Sequence, residues 1–259
     1  MRHVLLLVSL AAGPASAQTS PQPHPDDTVR VLFVGNSLTQ ANDLPAMVAA
    51  LARASGVTWD VHSAVIMGAS LADHLEEGTA GRLLRDTRWD FVVLQQGPST
   101  LPASRANLRA GARAFLPLIE RAGARPALYM VWPDSTWSGP RFEADFDRIR
   151  DAYALAAGDV GGLFLPAGEA WRAARRADPA LPLYGPDGFH PAPEGTWVAA
   201  LAIFGELSAR PLEGLPARLT HPDGTVLVNI PAARAAPLQR AVVEALISAR
   251  RASPDPGGS

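Results

Sequence analysis

Two short stretches of this chain carry side chains that can do chemistry together. Gly35-Asn36-Ser37-Leu38-Thr39 follows an apolar run, where a serine is presented at a strand's carboxyl edge with turn amides beside it to bind a developing oxyanion. The same residue types build ordinary tight turns, so the pentapeptide by itself leaves both readings open. Asp187-Gly188-Phe189-His190-Pro191 supplies the complement. A serine hydroxyl attacks only when a base accepts its proton, and a neutral histidine needs an acid to fix its tautomer. Three residues apart in a turn, Asp187 and His190 have Cα atoms within about 7 Å. Pro191 biases His190 toward an extended conformation that sends the imidazole out of the loop. Ser37 as nucleophile, His190 as base and Asp187 as orienter would form an acyl-transfer constellation. The alternative is a solvent-facing turn, and His221-Pro222-Asp223-Gly224 repeats the same residue types further along the chain.

Other polar residues have weaker claims. Trp132 and Asp134 are candidates for substrate contact, with loop packing of the tryptophan as the alternative. His74 is a further candidate at a pocket rim, with a structural role as its rival. His62 reads as a hydrogen-bonded core histidine, and His24 belongs to a loose arm. Arg172, Arg175 and Arg176 read as a solvated helix face. No His-Glu-x-x-His or comparable spacing occurs, so neither a metal nor another cofactor is expected.

The elements that must position these residues alternate regularly. Residues 29–34 form a nearly continuous apolar run, the pattern of a strand buried on both faces of a parallel sheet. Further strands are expected over 57–65, 91–96, 127–132 and 162–165. Between and after them, helices are expected from Asp43 as N-cap to Gly56, then over 71–77, 104–122, 141–157, 169–177 and 194–207. Five strands alternating with helices imply a parallel sheet covered on both faces, whose ligands bind at the carboxyl ends of the strands. A hairpin over 220–230 and a closing helix over 236–250 should pack on this core.

Composition narrows the function. The chain has 259 residues, 47% apolar and 19% charged, enough for one well-buried domain spanning 28–251. A formal charge of −2 gives no footprint for nucleic acid. All basic residues are arginine, which excludes a P-loop and a lysine base or Schiff base. Cysteine is absent, which excludes disulfides and thiolate nucleophiles. Arg2, the apolar run 4–12 and Ala15-Ser16-Ala17 read as a signal peptide over 1–17, cleaved before Gln18. The run is about half the roughly 20 residues a span needs. Export to the periplasm or medium follows, with a flexible leader over 18–27, no membrane span after cleavage, and a disordered tail over 252–259.

Taken together, these motifs resemble the SGNH (GDSL-like) hydrolases. Gly35-Asn36-Ser37-Leu38-Thr39 is similar to that family's nucleophile block, with Asn36 where many members carry aspartate, and Asp187-Gly188-Phe189-His190-Pro191 to its terminal Asp-x-x-His block. Met67-Gly68-Ala69-Ser70 lies where the family keeps an oxyanion glycine. The resemblance spans residues 29–207. It implies a three-layer α/β/α fold with a flavodoxin-like five-stranded parallel sheet, Ser37, His190 and Asp187 as the catalytic residues, and the amides of Ser37 and Gly68 as oxyanion donors. The family's third block departs here: Gln95-Gln96-Gly97-Pro98 replaces an asparagine-bearing motif. The third donor then falls to the Gln96 amide, with Gln95 as rival, since alternation sends the two to opposite faces. The resulting expectation is a serine esterase acting on a short-chain O-acyl ester, such as an acetyl group on a carbohydrate. The alternatives are a non-catalytic carbohydrate-binding module, or a lysophospholipase or thioesterase, on the same fold.

Overall fold

The computed structural model describes residues 28–136 and 139–252. The expected signal peptide, leader and tail residues 253–259 lie outside them, as does Trp137; Ala252 closes the last helix rather than opening a tail. Five strands, β1 (Val29–Gly35), β2 (Trp59–Val65), β3 (Phe91–Leu94), β4 (Arg125–Tyr129) and β5 (Leu163–Leu165), form one sheet in the order β2-β1-β3-β4-β5. Every pairing is parallel. This is the flavodoxin-like order, in which the chain reverses direction across the sheet at β1/β3.

β1 lies inside the sheet, between β2 and β3, because its apolar run has no polar face to turn to water: Val31, Leu32, Phe33 and Val34 are all fully buried. β2 lies at the edge and alternates instead, exposing Asp60 and His62. His62 therefore corrects the core-histidine expectation. It is hydrogen-bonded, to Asp60 at 2.8 Å, but its side chain is half exposed and stands edge-on to Trp89.

Among the described residues there are nine α-helices: α1 (Ser37–Gln40), α2 (Leu44–Ala54), α3 (Leu71–Glu77), α4 (Thr79–Asp86), α5 (Pro102–Arg121), α6 (Phe142–Asp159), α7 (Ala167–Ala177), α8 (Pro193–Ser208) and α9 (Ala232–Ala252). The two helical layers are α2, α7, α8 and α9 on one side and α3, α4, α5 and α6 on the other. Helix α4 was not expected from the pattern. α3 stops at Gly78, which is left-handed (φ 85°), and α4 starts at once, burying Ala80, Gly81 and Leu84.

Helix α8 is buried all round, not on the single face its tryptophan, leucine and phenylalanine spacing suggests. The reason lies downstream. α9 packs across α7 and α8, and the hairpin β6 (Arg218–Thr220) and β7 (Val226–Asn229) leans on α2 and α8. The C-terminal segment thus covers a helix layer. His221 and Asp223 sit in the hairpin turn, closed by His221 N to Thr225 O at 2.9 Å and Gly224 N to His221 O at 3.0 Å. The second copy of the histidine-aspartate-glycine residue types is a structural turn.

Candidate active site

β1 delivers Ser37 to the carboxyl edge of the sheet. Asn36, extended at φ −123° and ψ −153°, caps α1 by accepting from Leu38 N at 3.1 Å, so the chain turns sharply and Ser37 opens the helix. The turn is closely packed. A Cβ on Gly35 would sit 2.3 Å from Thr39 Oγ1 and 2.6 Å from Gln95 Oε1, so only glycine fits. Gln95 is fully buried under this turn. Its Oε1 accepts from Asn36 N at 2.9 Å and Thr39 Oγ1 at 2.7 Å, while its Nε2 donates to Asn36 Oδ1 at 2.9 Å and Gln96 O at 2.7 Å.

Asn36 also reaches the neighbouring loop, donating from Nδ2 to Ala69 O at 3.0 Å. That bond ties the Ser37 turn to Gly68, which is left-handed at φ 70° with open space around its Cα. Its constraint is conformational rather than steric. Among the described residues, the Ser37 and Gly68 amides have no hydrogen-bond acceptor.

The far half of the site comes from the loop between α7 and α8. Asp187 Oδ1 accepts from Phe189 N and His190 N, both at 3.0 Å, and its Oδ2 lies 2.5 Å from His190 Nδ1. The hydrogen bond from His190, then that from Phe189 N, pull the Asp187 carboxyl from the ordinary 3.8 down to about 2, so it is a carboxylate. A carboxylate only accepts, so the imidazole carries its proton on Nδ1 and offers Nε2 as an acceptor. Ser37 Oγ lies 2.9 Å from that Nε2. The three side chains form one continuous chain whose outer end is open to solvent: His190 and Asp187 are 39% and 52% exposed, while Ser37 is buried.

The other expected contacts are placed differently. Both hydrogens of the Gln96 amide are engaged, by Ser99 Oγ at 3.2 Å and Ser104 O at 3.4 Å, and its Oε1 accepts from Leu71 N at 3.2 Å. Gln95 is equally committed, so neither glutamine has a free N–H for an oxyanion. The sequence pattern fails here because β3 ends at Leu94. Both glutamines lie beyond the strand, where alternation no longer decides direction. Tyr153, unforeseen, accepts from Gln96 N at 3.2 Å and donates to Gln96 O at 2.5 Å.

Trp132 is fully buried and stacks flat on Trp171 at 3.6 Å, with Nε1 donating to Phe189 O at 3.1 Å. It braces the histidine loop from behind and does not face substrate. Asp134 Oδ1 closes its own turn on Thr136 N and Oγ1, and Ser135 grips Gly188 O through N and Oγ at 2.9 and 2.7 Å. His74 is buried, not at a rim. Its Nε2 donates to Gly35 O at 2.8 Å beneath the Ser37 turn, and its Nδ1 has no partner among the described residues. Asn42, five residues after Ser37, donates to Pro191 O at 2.8 Å and Thr196 Oγ1 at 2.9 Å; one asparagine in a polar turn carries no sequence signal of that reach. Among the described residues no cluster of histidine, aspartate and glutamate is arranged to hold a metal ion.

Comparison with family models and with curated protein sequences finds no match. Solved structures do match. A protein from Slackia heliotrinireducens described as an SGNH hydrolase is 31% identical over 70% of this chain and 99% of its own, with a TM-score of 0.58. The chain belongs to the SGNH hydrolases. A DUF4886 family protein from Bacteroides uniformis shares the fold at a TM-score of 0.71 and 22% identity, over 85% of this chain and 95% of its own. So does an acetylxylan esterase from Geobacillus stearothermophilus, at 0.53 and 17%, over 69% and 94%. As an SGNH hydrolase, this chain keeps the family's three-layer architecture, while its third block supplies packing to the Ser37 turn instead of a free side-chain amide.

Proposed function

We propose that this SGNH hydrolase is an exported serine esterase that removes short O-acyl groups, acetyl above all, from carbohydrate. The observation that carries the reading is the unbroken line from Ser37 Oγ through His190 to the Asp187 carboxylate. Ser37 Oγ attacks the ester carbonyl as His190 Nε2 takes its proton, and the imidazolium is stabilised by Asp187. The amides of Ser37 and Gly68 hold the oxyanion. His190 returns the proton to the leaving sugar hydroxyl, leaving an acyl-Ser37. Water then attacks with His190 again as base, releasing the carboxylic acid and restoring Ser37.

Three further features support the substrate class. The histidine–aspartate half of the triad is open to solvent, with Ser37 buried behind it, which suits an acyl group projecting inward from a chain that stays outside. Beside the Asp187 loop, a cavity of about 380 Å³ is lined by Phe142 and Tyr184, by Pro179, Leu181 and Leu183, and by Arg175 and Ser135, with the Arg175 guanidinium 4.4 Å over the Phe142 ring, a mix of apolar and polar groups that a sugar ring can use. The acetylxylan esterase with the same fold has catalytic mutants at a serine, an aspartate and a histidine, the last two three positions apart as here. The residues before Gln18 support action outside the cytoplasm.

A panel of acetyl, butyryl and long-chain nitrophenyl esters with acetylated xylan tests the reading. Turnover should be greatest on acetyl substrates and should vanish in Ser37→Ala. Binding of xylan with no turnover of any ester would instead identify a binding module.

A further inference from the structure

Three consecutive carbonyls hold the histidine loop, each through a different donor. Phe189 O accepts from Trp132 Nε1 at 3.1 Å, His190 O from Gly185 N at 2.8 Å, and Pro191 O from Asn42 Nδ2 at 2.8 Å. Trp132 and Gly185 brace the loop from the segment after β4 and from within. Asn42 alone of the three comes from the segment that carries Ser37. Its second amide hydrogen goes to Thr196 Oγ1 at 2.9 Å, in the first turn of α8, and Thr196 in turn donates to Ala192 O at 3.3 Å. The backbone is shaped for this reach. Asn42 is left-handed (φ 52°, ψ 22°), as is Asp43 after it (φ 53°, ψ 59°), a conformation that asparagine and aspartate accept better than other side-chain-bearing residues.

Resting on the esterase reading, we infer that Asn42 is a positioning residue that keeps His190 at proton-transfer distance from the Ser37 position throughout turnover. Asp187 fixes how the imidazole is turned, but it belongs to the same loop and cannot fix how far that loop stands from α1. In the free enzyme the Ser37–His190 hydrogen bond helps to close the gap. Once Ser37 is acylated, Oγ is an ester oxygen with no proton to donate, and that bond is gone. The Asn42 bonds do not involve the reacting atoms, so they persist. Deacylation, in which His190 must activate water, therefore depends on Asn42 more than acylation does.

The test uses Asn42→Gly, which accepts the left-handed backbone without a side chain, and Asn42→Asp, which keeps the shape and loses both donors. Each is first melted to show that it folds, then assayed well below its Tm on nitrophenyl acetate. The expected result is a fall in kcat of about tenfold or more, a smaller fall in kcat/KM, and a burst of nitrophenol approaching one per enzyme as acyl-Ser37 accumulates. A residue needed only for folding would lower Tm and leave these kinetic readouts unchanged. A kcat within about twofold of the parent in either folded variant would overturn the inference. A parent enzyme with no esterase activity would instead remove the proposed function on which it rests.

Discussion

Ser37 Oγ and His190 Nε2 stand 2.9 Å apart although 153 positions separate them along the chain. This contact brings the turn after β1 and the loop between α7 and α8 to one proton. Residues acting as one unit lose their effect together, so Ser37→Ala and His190→Ala should each lower kcat on the order of 10⁵-fold or more, and the double variant should be hardly worse than either. Steady-state hydrolysis of nitrophenyl acetate measures this; additive losses would show that the two side chains do not share the proton.

Gln96 and Gly68 should separate cleanly. Gly68→Ala places a side chain at φ 70° and disturbs the amide proposed for the oxyanion, lowering kcat on the order of 10²-fold. Gln96→Ala should act on stability instead, because Leu71 N loses a buried acceptor, at about 1–3 kcal/mol. The two outcomes are read by kcat and by thermal melting. A 10²-fold loss of kcat in Gln96→Ala at unchanged Tm would mean that its amide swings to the oxyanion during reaction.

The Asp187 carboxyl titrates at about 2 instead of 3.8, chiefly through its bond to His190. A carboxylate depressed by folding adds stability in full above 3.8, and that contribution disappears as pH falls through about 2. Between about pH 5 and pH 2 the parent should therefore lose Tm that Asp187→Asn does not lose, narrowing the gap between them. Asp187→Asn should also reduce kcat on the order of 10⁴-fold near neutrality, because His190 loses the acid that sets its tautomer. Melting curves across that pH range and one neutral rate check both.

Phe142 tests the cavity beside the acid loop. Phe142→Ala should raise KM for acetylated xylan by about three- to tenfold, the equivalent of ~0.5–1.5 kcal/mol of aromatic contact, with KM for nitrophenyl acetate unmoved. Equal changes on both substrates would point to disturbed packing, since Phe142 also stands edge-on to Phe146.

Much of this molecule is written in local pattern. The apolar run of β1, the alternation of strands with helices, and the pairing of Asp187 with His190 within one turn all depend on residues near each other in sequence. Periodicity and turn chemistry report those directly, so the parallel sheet, the Ser37 turn and the acid–base pair were legible without coordinates. Tertiary structure alone decided the rest. Whether Gln96 offers an amide depends on Ser99, Ser104 and Leu71 reaching it first; whether Trp132 meets substrate depends on Trp171 stacking against it; and Asn42 matters because Pro191 and Thr196 come within reach. Each is settled by which distant groups compete for a hydrogen bond or a buried face, and that competition exists only once the chain has closed on itself.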